Sequence, residues 1–189
     1  MKTLRLAAAA GMMMAIGLAT GCGSTPNPGT REERAQTRMQ SQAVIDDFKK
    51  KDPSMDRFFT TAEGYAIFPE VTSGALVVGG AHGNGEVFQR GRFIGYADVS
   101  QASIGAQVGG QKFAQIIFFQ NEESLANFKA GTLEFDARAT AIAASKGAAA
   151  TADYSKGVAV FTLPQGGLMA QAAIGGQKFR FTPATASER

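Results

Sequence analysis

From Gly64 to Thr182 the chain sets short apolar runs between glycine-rich breaks, the texture of strands joined by tight turns. "GYAIFPEV" and "GALVVGGA" are two such runs, and "HGNG" at 82–85 predicts a hairpin turn between the second and "EVFQR". "GRFIGYADV" follows. "ASIGAQV" then alternates cleanly, with Ala102, Ile104, Ala106 and Val108 on one face and Ser103, Gly105 and Gln107 on the other. "KFAQIIFF" ends in consecutive apolar residues, as a strand buried on both faces does. The last part reads "GVAVFTLP", "LMAQAAI" and "KFRFT", three further strands.

Helical patterns lie elsewhere. Arg31 to Lys51 lacks Gly and Pro and is rich in helix formers, with a modest stripe of Ala35, Met39, Ala43, Val44, Ile45 and Phe48. Pro53 stops it, and Ser54 is placed to cap a second short helix in "SMDRFFTTAE". Asn121 caps a third, "EESLANFKA", with Leu125 and Phe128 inward and Gly131 as its stop. In 133–154 the alanines favour helix. Leu133, Phe135, Ala137, Ala139, Ala141 and Ala143 nevertheless alternate with polar residues, which predicts strands about a turn at Ser145 to Gly147. The expected fold is α+β: N-terminal helices, then a curled, mostly antiparallel sheet, barrel- or sandwich-like, with one inserted short helix.

The N-terminus changes this picture. Lys2 and Arg5 precede an apolar run from Leu6 to Ala19, about the length of a signal-peptide core and short of the roughly 20 residues a membrane helix needs. Ala19, Thr20 and Gly21 then lead to Cys22, the only cysteine, in a pattern that resembles a bacterial lipobox with Leu18 one position early. The expectation is a signal peptide over 1–21, cleavage after Gly21, acylation of Cys22 and a tether over 22–30. A single domain follows over 31–189, its core about 55–182. Several acyl chains at about 0.8 kcal/mol per buried CH₂ make such an anchor effectively permanent. The alternative is a free thiol beside an ordinary secretory cleavage site. The formal charge of +3 falls to +1 once Lys2 and Arg5 are removed, so charge gives no support to a nucleic-acid partner.

Candidate chemistry is sparse. "GGAHGNG" fits neither a dinucleotide fingerprint nor a P-loop, and no helix follows it. The phrase "VGGQKF" at 108–113 returns as "IGGQKF" at 174–179, and both copies lead into strands, without the helix N-terminus an anion site uses. His82 is the only histidine, and one histidine with no free cysteine excludes the common zinc sets. The acidic pairs Glu32/Glu33, Asp46/Asp47 and Glu122/Glu123 read as solvated helix faces. Glu134 and Asp136 share a strand face with Arg138, a better acid/base geometry and equally a charged outer surface. No catalytic residue, cofactor or metal ligand is expected. Lys112, Lys178 and Arg180 lie beside aromatic residues, and Arg90 and Arg92 flank a turn. Gathered on one surface, these cations would meet anionic lipid head groups while Phe113 and Phe179 entered the acyl boundary. Otherwise the phenylalanines are core and the cations ordinary surface.

Taken in order, "GYAIFPEV", "ALVVGGAHGNGEVF", "ASIGAQVGGQKFAQIIFF", "NFKAGTLEFDARATA" and "KGVAVFTLPQGGLMAQAAIGGQKF" resemble the SYLF domain, in its bacterial lipoprotein branch. The resemblance spans about Met55 to Thr182. It implies a lipid-binding domain without known catalysis. Eukaryotic members bind phosphoinositides and some bind actin, with an amphipathic N-terminal helix at the membrane. Here that helix is mixed in charge, and an exported bacterial domain meets neither ligand. The implied protein is an envelope lipoprotein in the periplasm, and Gly23 after the cysteine favours the outer membrane. Its expected partners are membrane lipids, in particular anionic ones. The second reading is a protein-interaction or structural envelope module in which the lipid is only an anchor.

Overall fold

The structure, a computed structural model, describes residues 30–74, 79–103, 111–136, 139–165, 173–186 and 188. The expected signal segment, Cys22 and the expected tether up to residue 29 lie outside the described residues, as do parts of three expected strands at 75–78, 104–110 and 166–172.

Helix α1 (Arg31–Lys51) opens on a capping box. Thr30 Oγ1 accepts from the Glu33 N–H at 3.1 Å, and the Glu33 carboxylate accepts from the Thr30 N–H at 2.9 Å. Glu32 and Glu33 in the first turn and Lys49, Lys50 and Lys51 in the last complement the helix dipole. Only its second half is anchored, through Ser41, Val44, Ile45 and Phe48. A 3₁₀ turn (Pro53–Met55) and α2 (Asp56–Thr61) follow, capped by Asp52 and not, as expected, by Ser54. The Asp52 carboxylate accepts from the N–H groups of Ser54, Gly147 and Ala149, so one buried acid ties the helical corner to a segment almost a hundred residues away.

Among the described residues seven strands follow: β1 (Gly64–Gly74), β2 (Gly79–Gln89), β3 (Arg92–Ser103), β4 (Gln111–Phe119), β5 (Ile142–Ala143), β6 (Val158–Pro164) and β7 (Gln177–Pro183). Their order is β5-β6-β4-β1-β2-β3-β7, antiparallel throughout except for the β5/β6 pair. Helix α3 (Glu122–Lys129) connects β4 to the stretch leading to β5, and α4 (Ala148–Thr151) precedes β6. The expected α+β fold with a curled, mostly antiparallel sheet is what forms, and the sheet is open and does not close into a barrel.

Strand alternation divides the apolar residues between two cores. The inner face of the curl holds Phe68, Val87, Val99, Phe113, Phe119 and Phe179, closed at one end by Leu125 and Phe128 of α3. The outer face of β1, β4 and β6 holds Ile67, Ile116, Phe118 and Phe161 against Phe48 and Phe58 of the helices. Residues Ile116 to Phe119 are thus buried on both faces, as their unbroken apolar run predicts.

Two further expectations are corrected. "HGNG" is not a turn: it lies inside β2, and the hairpin turns at Arg90–Gly91, where both residues adopt positive φ. Gly83 and Gly85 face the irregularity in β1 between Ile67 and Glu70. A Cβ at Gly83 would come 2.6 Å from the Glu70 carbonyl oxygen, so these glycines admit a neighbouring backbone and make no bend. The stretch 133–154 forms one two-residue strand, β5, and the short helix α4 in place of the expected strands. Its alternation is nonetheless physical. Leu133, Phe135, Ala139 and Ala141 pack on the inner core while Glu134, Asp136 and Thr140 face out. Residues 133–136 and 139–141 lie over the inner core as a strap, with the Ala139 N–H donating to the Asp136 carbonyl at 2.8 Å and the Phe135 and Phe179 rings 5.8 Å apart.

Candidate functional site

The five cations singled out by sequence are split between two ends of the sheet. Register aligns Lys112, Thr72, His82, Ser100 and Lys178 in one row across β4, β1, β2, β3 and β7. The next row reads Glu70, Asn84, Asp98 and Arg180. All of these side chains except Asp98, which is half-buried, and Thr72, likewise partly covered, are exposed on the outer face. Lys112 is paired with Glu70 at 2.8 Å. Burial pushes the Asp98 carboxyl up to about 6, against the pull of Arg180. Because the inner faces of β4 and β7 meet within the curl, the outer faces carrying Lys112 and Lys178 turn away from each other. Arg90 and Arg92 lie at the opposite end of the β2–β3 hairpin. Seven residues of β2 separate them from the His82 row, about 23 Å at roughly 3.3 Å per residue. Arg90 pairs with Glu63 at 3.0 Å.

Phe113 and Phe179 are 3% and 6% exposed in the inner core, so neither side chain is available at the surface to enter an acyl boundary. His82 is exposed on the outer sheet face, and Asp136 is paired with Lys156 at 3.0 Å. Among the described residues no group of three or more His, Cys, Asp or Glu side chains is arranged to hold a metal ion.

A different cation cluster forms where α1 overhangs β3 and β7. Arg31, Arg34 and Arg38, spaced three and four apart, stand on one face of the helix. With Ala35, Met39, Tyr96 and Glu188 they line a groove of about 480 Å³. An adjoining cavity of about 830 Å³ is lined by Arg38, Arg92, Phe93, Lys129, Phe181 and Glu188, among others. Arg38 and Glu188 belong to both. Five cations therefore face one carboxylate around half-buried apolar side chains, and Met39 beside them is 67% exposed. The Arg38 guanidinium lies 4.9 Å from the Phe93 ring centroid, and the Lys129 ammonium 5.8 Å from that of Phe181.

Two acids set the electrostatics there. Glu86 is fully buried beneath α1, where desolvation raises its carboxyl above the ordinary range. The Ser41 hydroxyl and Arg38, whose Nε is 3.7 Å away, offset this only partly, and both carboxylate oxygens of Glu86 lack a hydrogen bond. Glu188 is the converse. Its carboxyl is held below the ordinary range first by the Thr185 hydroxyl, then by the Thr185 N–H, with Arg34 adding to both.

Of the residues chosen from sequence, only Arg92 lines this groove. Arg31, Arg34, Arg38 and Lys129 were missed, although the helical spacing of the three arginines was a readable signal. A third cavity, about 300 Å³, lies between the strap and β6. Its apolar wall includes Phe135, Ile142, Val160 and Ile174, and its mouth carries Glu134, Asp136, Asp153 and Lys156.

Among the described residues no helix is long and apolar enough to cross a membrane. No family model matches the chain. The chain is similar to Beta cell expansion factor A of Aeromonas veronii, 29% identical over 157 residues. The match covers 81% of this chain and 59% of that protein, so the chain corresponds to well under two thirds of its relative's length.

Proposed function

We propose that the protein is a non-catalytic envelope lipoprotein of the SYLF type, anchored through acylated Cys22, whose domain binds anionic membrane lipid. The observation that carries this reading is the convergence of Arg31, Arg34, Arg38, Arg92 and Lys129 with half-buried Phe93 and Phe181 and exposed Met39 beside the first half of α1. Such a surface suits an amphiphile with an anionic head, because the cations meet the charge while Phe93, Phe181 and Met39 meet the hydrocarbon.

The tether makes the placement productive. Residues 23–30 reach no more than about 28 Å when fully extended, so an acylated Cys22 holds the start of α1 close to the bilayer. The sheet row of Lys112 and Lys178 lines neither cavity, its β3 member Ser100 lying four residues along the strand from Tyr96, and it is not favoured in this geometry.

Vesicle flotation tests the reading. A chain beginning at position 22 and carrying Cys22→Ser removes the anchor and leaves the domain. Binding to vesicles containing phosphatidylglycerol, absent with phosphatidylcholine alone and weakening as salt shortens the Debye length, is the expected result. No binding to any vesicle would contradict it. Mass spectrometry of the mature N-terminus checks the acyl chains on Cys22.

A further inference from the structure

Among the described residues Glu188 is the single acid lining the basic groove, and it is held as a ligand would be held. Its Oε1 accepts from Arg34 Nη1 at 2.7 Å and from the Tyr96 hydroxyl at 3.4 Å. Its Oε2 accepts from the Thr185 N–H at 2.8 Å and the Thr185 hydroxyl at 2.6 Å. A guanidinium, two hydroxyls and a backbone N–H converging on one anion are the donors that recognise a phosphoryl group, with arginine supplying the fork. The carboxylate side chain is only 10% exposed although it stands near the end of the chain.

The segment that carries it contributes little to the core. After β7, Ala184 is buried and its N–H donates to the Ile94 carbonyl at 2.9 Å, but Thr185 and Ala186 are exposed. In the groove wall opposite, no residue of α1 before Ser41 is buried, and Arg38 holds that half of the helix to the sheet through Phe93 at 4.9 Å and Glu86 at 3.7 Å. The Glu188 side of the Arg34–Glu188 pair can therefore separate while the two apolar cores stay intact.

We infer that Glu188 is an internal occupant of the groove, a carboxylate that holds the place of a ligand's phosphoryl group and is displaced when that ligand binds. The inference rests on the anionic-lipid reading and adds to it a built-in competitor. While Glu188 is seated, only the fraction of molecules with an open groove binds, and the apparent affinity is reduced by that fraction.

The test uses the chain beginning at position 22 with Cys22→Ser, alone and combined with Glu188→Gln, Thr185→Ala or Glu122→Gln. Glu188→Gln removes the competing charge. Thr185→Ala loosens Glu188 without changing net charge. Glu122→Gln removes one acid on α3 and controls for charge alone. Affinity is measured for phosphatidylglycerol/phosphatidylcholine vesicles and, separately, for inorganic phosphate, with circular dichroism as the check on folding. Glu188→Gln and Thr185→Ala are expected to bind at least about fivefold more tightly than the parent, and Glu122→Gln to change little. A gain seen with inorganic phosphate as well assigns the groove to the phosphoryl group itself. A gain confined to vesicles assigns it to the head group within a bilayer. If the parent binds vesicles, and Thr185→Ala has no effect while Glu188→Gln gains no more than Glu122→Gln, the inference is overturned and the groove reading stands. Binding by none of the four chains overturns both.

Discussion

Gln115 and Gln177 exchange two hydrogen bonds inside the curl, each side-chain amide donating to the other's oxygen at 2.8 and 3.0 Å. They are 0% and 2% exposed and come from β4 and β7, which β1, β2 and β3 separate in the sheet. The pair thus records how far the sheet bends. It also gives a meaning to one half of the repeated "GGQKF": the glutamine of the second copy is the one that reaches across.

Each amide leaves the other unpaired when replaced. Gln115→Met or Gln177→Met alone is expected to cost about 1–3 kcal/mol, because a buried amide then loses its partner. The double variant should cost less than the sum of the two singles, by about 1 kcal/mol or more. Chemical denaturation of the four chains measures this, and strict additivity would contradict the pairing.

Gly85 tests the corrected position of "HGNG". A Cβ there would fall onto the Ile67 carbonyl oxygen and 2.8 Å from the Phe68 ring, so Gly85→Ala is expected to destabilise by about 3 kcal/mol or more. Gly91, at φ +76° in the true turn with open space around it, should accept Asn for under about 1 kcal/mol. Equal tolerance at the two sites would contradict the register.

Asp98 and Asp52 give stability opposite dependences on pH. Burial holds the Asp98 carboxyl at about 6, above the roughly 3.9 of an unfolded chain, so the folded state binds its proton more tightly. Stability from this group is present at low pH and is lost as pH rises through about 6. Burial also acts to raise Asp52, but the N–H groups of Ala149 and Gly147, with Ser54, outweigh it and lower the folded value. Its contribution is present above the ordinary carboxylate range and is lost as pH falls below it. The thermal midpoint should therefore rise from pH 7 towards pH 5 and fall below pH 4. Asp98→Asn is expected to flatten the upper limb, and an unchanged slope would count against the assignment. Asp52→Ala, which deletes a cap, should cost about 1–2 kcal/mol at neutral pH.

Local signals in the sequence were sufficient where one element carries its own reasons. The α1 run, the Asn121 cap and Gly131 stop of α3, and the doubly buried end of β4 all appear as read. Signals failed where the cause lies on another strand. "HGNG" has the residues of a turn, yet its glycines answer to the β1 backbone beside them. The alternation from Leu133 to Ala143 reported the correct faces, but a strand also needs a partner, and beyond β5 the described segment has only the Thr140–Ala173 bridge. Lys112 and Lys178 share a phrase and a row and still point apart, because curvature is not written in a strand's own residues. The basic groove draws on α1, β3, α3 and the C-terminal turn, so sequence supplied Arg92 and a readable arginine spacing on α1 but not their convergence.

Flotation of residue-matched variants tests the central claim most directly. In the Cys22→Ser chain, Arg31→Gln/Arg92→Gln/Lys129→Gln removes three cations from the groove, and Lys112→Gln/Lys178→Gln/Arg180→Gln removes three from the two sheet rows. Arg38 is left in place because it faces buried Glu86. At about 1 kcal/mol per cation near an anionic surface, the groove variant should lose roughly a hundredfold in affinity for phosphatidylglycerol vesicles, and the sheet variant little. Equal losses would move the site away from the groove. No binding by the unmodified domain would contradict the lipid account and leave the acyl chain as an anchor alone.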